Sequence, residues 1–513
     1  MAGPATLPGG WAAWLDSSLS SLRDRGLFRV MRSVEAGSNS VRIVAASGTE
    51  GSPVAPGAPK ETVLFSLSDY MGLSDHPQVR AAVAEAAARV GNGPRSSALV
   101  TGHTTLHRAL ELELASLKGT EDCLLFPSGF QANLSVATTL ASPRTTIFSD
   151  ELNHASIIDG LRLARSKGAT VKVFRHNDLA HLEELVRRDI EEERQEREGR
   201  SVGLAPATAA GATGAAAGPA TATPSGGRLR AVIADSLFSM DGDFAPMRGF
   251  ARLRREYGLL LVLDEAHATL CCGARGAGGA ERAGLAGGDV DLHVGTLSKA
   301  VGSTGGFVAC STAWRDALAN LGRAHVFSTA ATVPTVAGAL AAVRAARDEP
   351  WRRERLWSHA RALGRALGRL PDSYIVPIVL GDERTALDAS ARCLARGVGV
   401  PAIRPPTVPR GTARLRISFS AAHEEGEVGK LIAVLAELGI ARRIDRLADV
   451  GRVGAAGADI ADEADEADAR SKDPPVFQSL LRQIDAVTPD NDGGEEERTQ
   501  ERICAARGSD SRL

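Results

Sequence analysis

The chain has 513 residues, 43% hydrophobic and 24% charged, with a formal net charge of −2. These figures exclude a collagen, a coiled coil or a small disulfide scaffold, and the near-neutral balance argues against nucleic acid or an anionic membrane surface as the main partner. No apolar run is long enough to span a bilayer, and six cysteines without a CxxC pair suit a compartment that needs no disulfides.

Residues 1–10 are a Gly/Pro/Ala lead. Residues 11–34 read as a helix, with Trp11, Trp14, Leu15, Leu19, Leu22 and Leu27 at near-helical spacing. The stretch 35–60 is polar and rich in glycine and proline, with one strand-like piece at 41–46. From 61 the pattern alternates: strand 62–67, helices 77–90 and 107–117, strand 123–126, helix 131–140, strand 146–149, helix 154–166, strand 170–174, charged helix 179–197, strand 231–235, helix 247–257 and strand 259–264. Strand, helix, strand with short connections predicts an α/β fold, a mostly parallel sheet flanked by helices. An Ala/Gly/Thr/Pro run at 199–228 interrupts it without a large apolar anchor and reads as a disordered insertion inside one domain. Helices at 333–347 and 350–370, strands at 375–379 and 413–419 and a helix at 425–438 then predict a smaller α+β domain. The domain plan is therefore an N-terminal helix and arm (1–60), a large α/β domain (61–340), a small C-terminal domain (341–445) and a polar tail (446–513).

Arginine supplies 53 of the 60 basic residues, so each of the seven lysines stands out. Lys118, Lys167 and Lys430 read as residues of polar helix faces. Lys299 lies among small residues, from Gly295-Thr296 to Gly305-Gly306, which would let a bulky group approach. A lysine desolvated there becomes an amine nucleophile. The competing reading is a phosphate-loop lysine, but GxxxxGK[ST] is absent. The apolar strand before Asp264 ends in that acid, followed by His267. Ligands bind at the carboxyl ends of parallel strands, where such an acid either caps a helix or serves a cofactor. At Ser128-Gly129-Phe130 a strand turns into a helix, offering free N–H groups to an anion. Adjacent Cys271 and Cys272 lack companion ligands and read as core residues, so no metal is expected.

The stretches FSLSDYMGLSDHP, LVTGHTTLHRALELELA, LLFPSGFQAN, DELNHASIIDG, DSLFSMDGDFAPM, LVLDEAHATL, GTLSKAVGSTGG and AIRPPTVPRGTARLRISFSAAH resemble the α-oxoamine synthase family of fold-type I pyridoxal-phosphate transferases. The likeness covers about 11–440 except the insertion, and the last stretch is its most specific part. It implies pyridoxal 5′-phosphate as cofactor, linked to Lys299, with Asp264 on the ring nitrogen and His154 stacked on the ring. It further implies His267 and Ser239 near the ring oxygen, and Gly129, Phe130 and Thr296 on the phosphate, helped by Thr329 of a partner chain. Arg416 would clamp the amino-acid carboxylate, while Arg29 and Thr407 would meet the acyl-CoA. Bland readings stand beside these: His154 as a helix cap, Arg416 as a structural ion pair, Arg25 or Arg32 in place of Arg29, Ser239 as a turn residue.

The reaction implied is decarboxylative condensation of L-alanine with pimeloyl-CoA by an acyltransferase that is a homodimer with its site at the subunit interface. The alternatives are a sibling reaction of glycine or serine with another acyl-CoA, and a non-catalytic partner subunit. Departures from the family pattern are Ser68 for asparagine, Ala268 for glycine or serine, Leu270 for glycine and Ala277 for arginine. The terminal Ser511-Arg512-Leu513 resembles a signal read by the peroxisomal import receptor, and the first residues lack a convincing leader. A peroxisomal address is expected, with cytosol or mitochondrion as alternatives.

Overall fold

The computed structural model describes residues 9–24, 28, 33–34, 40–41, 43–44, 62–202 and 227–440. Its centre is a seven-stranded sheet: β1 (Asp122–Phe126), β2 (Thr145–Asp150), β3 (Thr170–Phe174), β4 (Leu229–Asp235), β5 (Leu260–Asp264), β6 (Leu292–Thr296) and β7 (Gly306–Cys310). The spatial order is β1-β7-β6-β5-β4-β2-β3. Every pairing is parallel except those of β7, which runs antiparallel to both neighbours. Leu261, Val262 and Leu263 of β5 are wholly buried, as expected for a central parallel strand covered on both faces.

The sheet is covered by helices that start where the sequence supplies a cap. Ser128 Oγ accepts the Gln131 N–H before Gly129–Leu140, and the His154 ring accepts the Ser156 N–H before Ala155–Ser166. Pro77 opens Pro77–Val90, where its missing N–H costs nothing. Gly258 closes Met247–Tyr257 in the left-handed conformation.

A second sheet, ordered Ile375–Gly381, Ala413–Ser418, Ala402–Ile403, is antiparallel. Thr62–Leu64 pairs in parallel with Val398–Gly399 and antiparallel with Ser40–Val41, so this early strand joins the C-terminal part of the chain rather than the large sheet. The first helix spans Gly9–Asp24, shorter than the expected 11–34. The charged helix runs to Val202, beyond the expected 197, taking up the start of the 199–228 segment. Residues 203–226 and 441–513 lie outside the described part, as do Arg29 and the terminal tripeptide. Among the described residues no helix is long and apolar enough to cross a membrane, and no cluster of His, Cys, Asp and Glu could hold a metal.

Candidate active site

The carboxyl ends of β4, β5 and β6 converge on one place. Register sets Asp235 directly beside Asp264, and Val294 of β6 on the other side of Asp264. Lys299 follows three residues after the end of β6. Its Nζ lies 2.8 Å from His267 Nε2. Burial lowers the Lys299 pKa to about 8, against the pull of the Asp264 and Asp235 carboxylates, and the Arg416 charge adds to the lowering. Burial likewise keeps His267 well below the usual imidazole range, with the positive charges of Lys299 and Arg416 acting in the same direction.

Asp264 accepts from Asn133 Nδ2 at 2.6 Å and from the Ala266 N–H at 2.8 Å. Asn133 also donates to Ser156 Oγ at 2.9 Å, so one amide ties the first helix of the cradle to the helix behind His154. His154 does act as a cap, its Nδ1 taking the Ser156 N–H at 3.2 Å, while its own N–H donates to Asp235 Oδ2 at 2.9 Å. The capping reading and a place beside Lys299 are thus compatible, since the charges of Asp264 and Lys299 both reach the His154 ring. Burial holds its pKa low, Asp264 raising it and Lys299 lowering it.

The phosphate side is built from Gly129, Phe130 and Thr296. Gly129 and Phe130 occupy the first turn of their helix, where N–H groups have no carbonyl behind them. A Cβ on Gly129 would lie 3.0 Å from Thr296 Cβ and 3.3 Å from its Oγ1, so the helix start and the Thr296 loop share one wall. Thr296 Oγ1 donates to Gly305 O at 3.0 Å and pairs with Ser298 Oγ at 2.8 Å. Helix-end donors, a threonine hydroxyl, a buried amine and a carboxylate suit a phosphorylated pyridine aldehyde, and the donor set therefore fits pyridoxal 5′-phosphate.

Arg416, on Ala413–Ser418, is held by neutral oxygens: Ser239 O at 2.5 Å, Ser418 Oγ at 2.9 Å and Tyr70 Oη at 3.4 Å. The neighbouring Arg414 is instead paired with Asp241 at 2.5 Å. Among the described residues no ion pair involves Arg416, so the structural ion-pair reading falls to its neighbour, and the buried guanidinium keeps a charge suited to a carboxylate. Ser239 meets Arg416 through its backbone carbonyl, a contact the sequence did not indicate.

Thr329, expected to act on the cofactor of a partner chain, bridges Ser97 and lines a small cavity with His103, His107 and His325. Thr407 is exposed on the turn before Ala413, its N–H donating to Arg404 O.

The glycines flanking Lys299 correct a simpler expectation. They face protein: a Cβ on Gly295 would meet the Phe307 ring, one on Gly302 the Ser74 backbone, and one on Gly306 the backbone of Ser128 and Gly129. They fix the loop by close packing rather than by leaving open space.

Lys118 is a second correction. It is fully buried, its Nζ 2.7 Å from Glu265 and 2.9 Å from Thr269 Oγ1, directly behind the Asp264 strand end. Leu270 takes φ +65°, a conformation that favours glycine. Ala268 and Ala277 are buried, and so are Cys271 and Cys272. Asp235, Asn133 and Tyr70 are site residues that sequence reasoning missed.

Comparison with known proteins agrees with this geometry. The family described as "Aminotransferase class I and II" matches residues 60–435. The chain is 44% identical to the 8-amino-7-oxononanoate synthase of Arabidopsis thaliana, over 74% of this chain and 75% of that one. It is 37% identical to the enzyme of the same name from Alkalilimnicola ehrlichii, over 84% and 98%. Among solved structures, a serine palmitoyltransferase from S. paucimobilis with a bound PLP–myriocin aldimine superposes with a TM-score of 0.69 at 27% identity, covering 84% of this chain and 98% of that one.

Proposed function

Because the chain belongs to the class I and II aminotransferase family and, within it, to the 8-amino-7-oxononanoate synthases, which use pyridoxal 5′-phosphate, we propose that it condenses L-alanine with pimeloyl-CoA or an equivalent pimeloyl thioester. The products are 8-amino-7-oxononanoate, CoA and CO2. The buried Lys299 amine, poised against a neutral imidazole and two carboxylates, carries this reading. Bound pyridoxal 5′-phosphate supplies the electron sink.

The chain's own residues do the rest. Gly129, Phe130 and Thr296 would hold the phosphate of the bound cofactor, Lys299 would anchor it covalently until the alanine amine displaces Lys299 and frees its Nζ, and His154 would lie beside it. Asp264, oriented by Asn133 and the Ala266 N–H, would keep a proton on the ring nitrogen of the bound cofactor. Arg416 binds the alanine carboxylate and so aligns the Cα–H with Lys299 Nζ, which removes that proton and returns one after CO2 is lost. Thr407 and Arg29 are assigned to the acyl-CoA side.

The test is a matrix of amino acids against acyl-CoAs, reading CoA release. Alanine with pimeloyl-CoA should win. Glycine or serine outperforming alanine would replace this reading with the sibling one that the serine palmitoyltransferase fold also accommodates, and no turnover by PLP-loaded protein would leave the non-catalytic subunit.

Two finer proposals accompany it. The chain works as a homodimer with Thr329 facing the partner's cofactor; the exposed apolar Val100 and Phe327, close to the Ser97–Thr329 bridge, support this. Mixing inactive Lys299→Ala and Thr329→Ala chains should restore part of the activity, and no recovery refutes shared sites. Its address is the peroxisome, through Ser511-Arg512-Leu513. A fluorescent protein fused ahead of the chain should give punctate signal that deletion of those three residues makes diffuse; diffuse signal with them in place refutes it.

A further inference from the structure

The contacts Lys299–His267–Tyr70–Arg416 form a chain whose direction can be deduced. A guanidinium has donors only, so Arg416 Nη2 donates across 3.4 Å and the Tyr70 oxygen accepts. Tyr70 is fully buried, and its hydroxyl has one hydrogen to place. His267 Nδ1 lies 2.8 Å away and takes it as acceptor. The reverse arrangement, with the proton on Nδ1, would leave the phenol hydrogen competing with the donors of Arg416 in a dry pocket, an expensive loss. Burial, with the positive charge of Arg416 acting the same way, keeps the ring neutral, so its single proton must then sit on Nε2. That N–H points along the 2.8 Å contact at Lys299 Nζ, which can accept only through a free lone pair. Tyr374 Oη donates to the His267 backbone carbonyl and fixes the residue from behind.

We propose that Tyr70 is a positioning residue that locks His267 as its Nε2–H tautomer and thereby holds the Lys299 amine as the nucleophilic free base, with Arg416 setting the direction of the chain. The phenol thus joins the group assigned to the amino-acid carboxylate to the group assigned to the proton transfer. The proposal rests on the roles given above to Lys299 and Arg416, but its test needs no substrate.

The experiment uses the cofactor-free full-length protein. The rate at which an amine-reactive reagent modifies Lys299 is followed against pH, with Lys299→Ala as the blank. Tyr70→Phe should raise the pH of half-reactivity by about one unit, because the ring is free to turn a lone pair toward the amine and favour the ammonium. A purely structural role for Tyr70 would not move this profile. In parallel, ¹⁵N imidazole resonances of wild type, with His267 assigned through His267→Gln, should show the proton on Nε2. A proton on Nδ1 in wild type overturns the proposal, even if Tyr70→Phe does not fold. So does a folded Tyr70→Phe whose tautomer and Lys299 profile match wild type. Failure of alanine and pimeloyl-CoA in the substrate matrix would sink the functional reading and leave these two results as they stand.

Discussion

Lys118→Met tests whether the buried ion pair behind β5 holds the Asp264 strand end in place. Lys118 Nζ reaches Glu265 Oε2 at 2.7 Å, Thr269 Oγ1 at 2.9 Å and Ala277 O at 2.5 Å, with neither charged side chain exposed. Glu265 also accepts from the Ala280 N–H and pairs with His293 Nδ1, both at 2.9 Å. Burial alone would raise the Glu265 pKa, yet Lys118 first, then His293 and the Ala280 N–H, bring it far below the usual carboxylate range. Methionine keeps the volume and removes the charge, stranding a buried carboxylate at a cost of about 3–5 kcal/mol. The remaining His293 and Ala280 contacts soften that, so about 3 kcal/mol is expected, roughly a hundredfold in the folding equilibrium. The assay is urea unfolding of the cofactor-free protein, since bound cofactor would add its own linkage. The double variant Lys118→Met with Glu265→Gln removes both charges and should recover most of the loss, a coupling of about 2 kcal/mol. A single-variant loss below about 1 kcal/mol, or additive losses in the double, would refute the view that this pair is a coupled buried unit.

Four further outcomes follow from the site. The rate at which cofactor-free protein captures pyridoxal 5′-phosphate should climb with pH and level off above about 8, the pKa to which burial brings Lys299; a half-point near the ordinary lysine value would refute the desolvated amine. Since that pKa is depressed, the folded state binds fewer protons than the unfolded one between about 8 and 10.5, so the cofactor-free protein should gain stability as pH rises through that window, as a urea titration at several pH values can check. Gly129→Ala, whose Cβ would press on Thr296 Cβ at 3.0 Å, should weaken cofactor binding by about tenfold, an overpacking cost of about 1–2 kcal/mol, read by absorbance titration; unchanged affinity would mean that Thr296 yields freely. Leu270→Gly should relieve a left-handed backbone worth about 1 kcal/mol yet lose the packing of a buried leucine worth about 3 kcal/mol, lowering stability overall in the same urea assay; a gain would show that the strain dominates.

The parts of this site that were legible in the sequence have local signals. Lys299 is a scarce lysine among glycines, Asp264 ends an apolar strand, and Ser128-Gly129 marks a strand-to-helix turn. The fold was legible for the same reason: strand and helix periods alternate, and caps such as Ser128 and Pro77 are written beside the helices they open. β7 escaped because five residues following a glycine loop carry too little pattern to separate a strand from a turn, and its antiparallel insertion between β1 and β6 is a tertiary event. Asp235 could have been found, since it ends an apolar strand as Asp264 does and differs only in lacking a histidine soon after it.

Tyr70 and Lys118 were beyond reach of a local reading. Tyr70 meets its imidazole partner across 197 residues of chain, and Lys118 meets Glu265 across 147. A lysine at the last position of an amphipathic helix looks solvent-facing until the β5 end is packed against it, and nothing adjacent to Lys118 signals that a carboxylate will arrive. The same physics separates the two arginines of Ala413–Ser418. Arg414 and Arg416 point to one face of the strand by alternation, yet one is neutralised by Asp241 while the other is held by neutral oxygens. Charge pairing, set by which loop lies over each position, decides which arginine stays available to a substrate carboxylate.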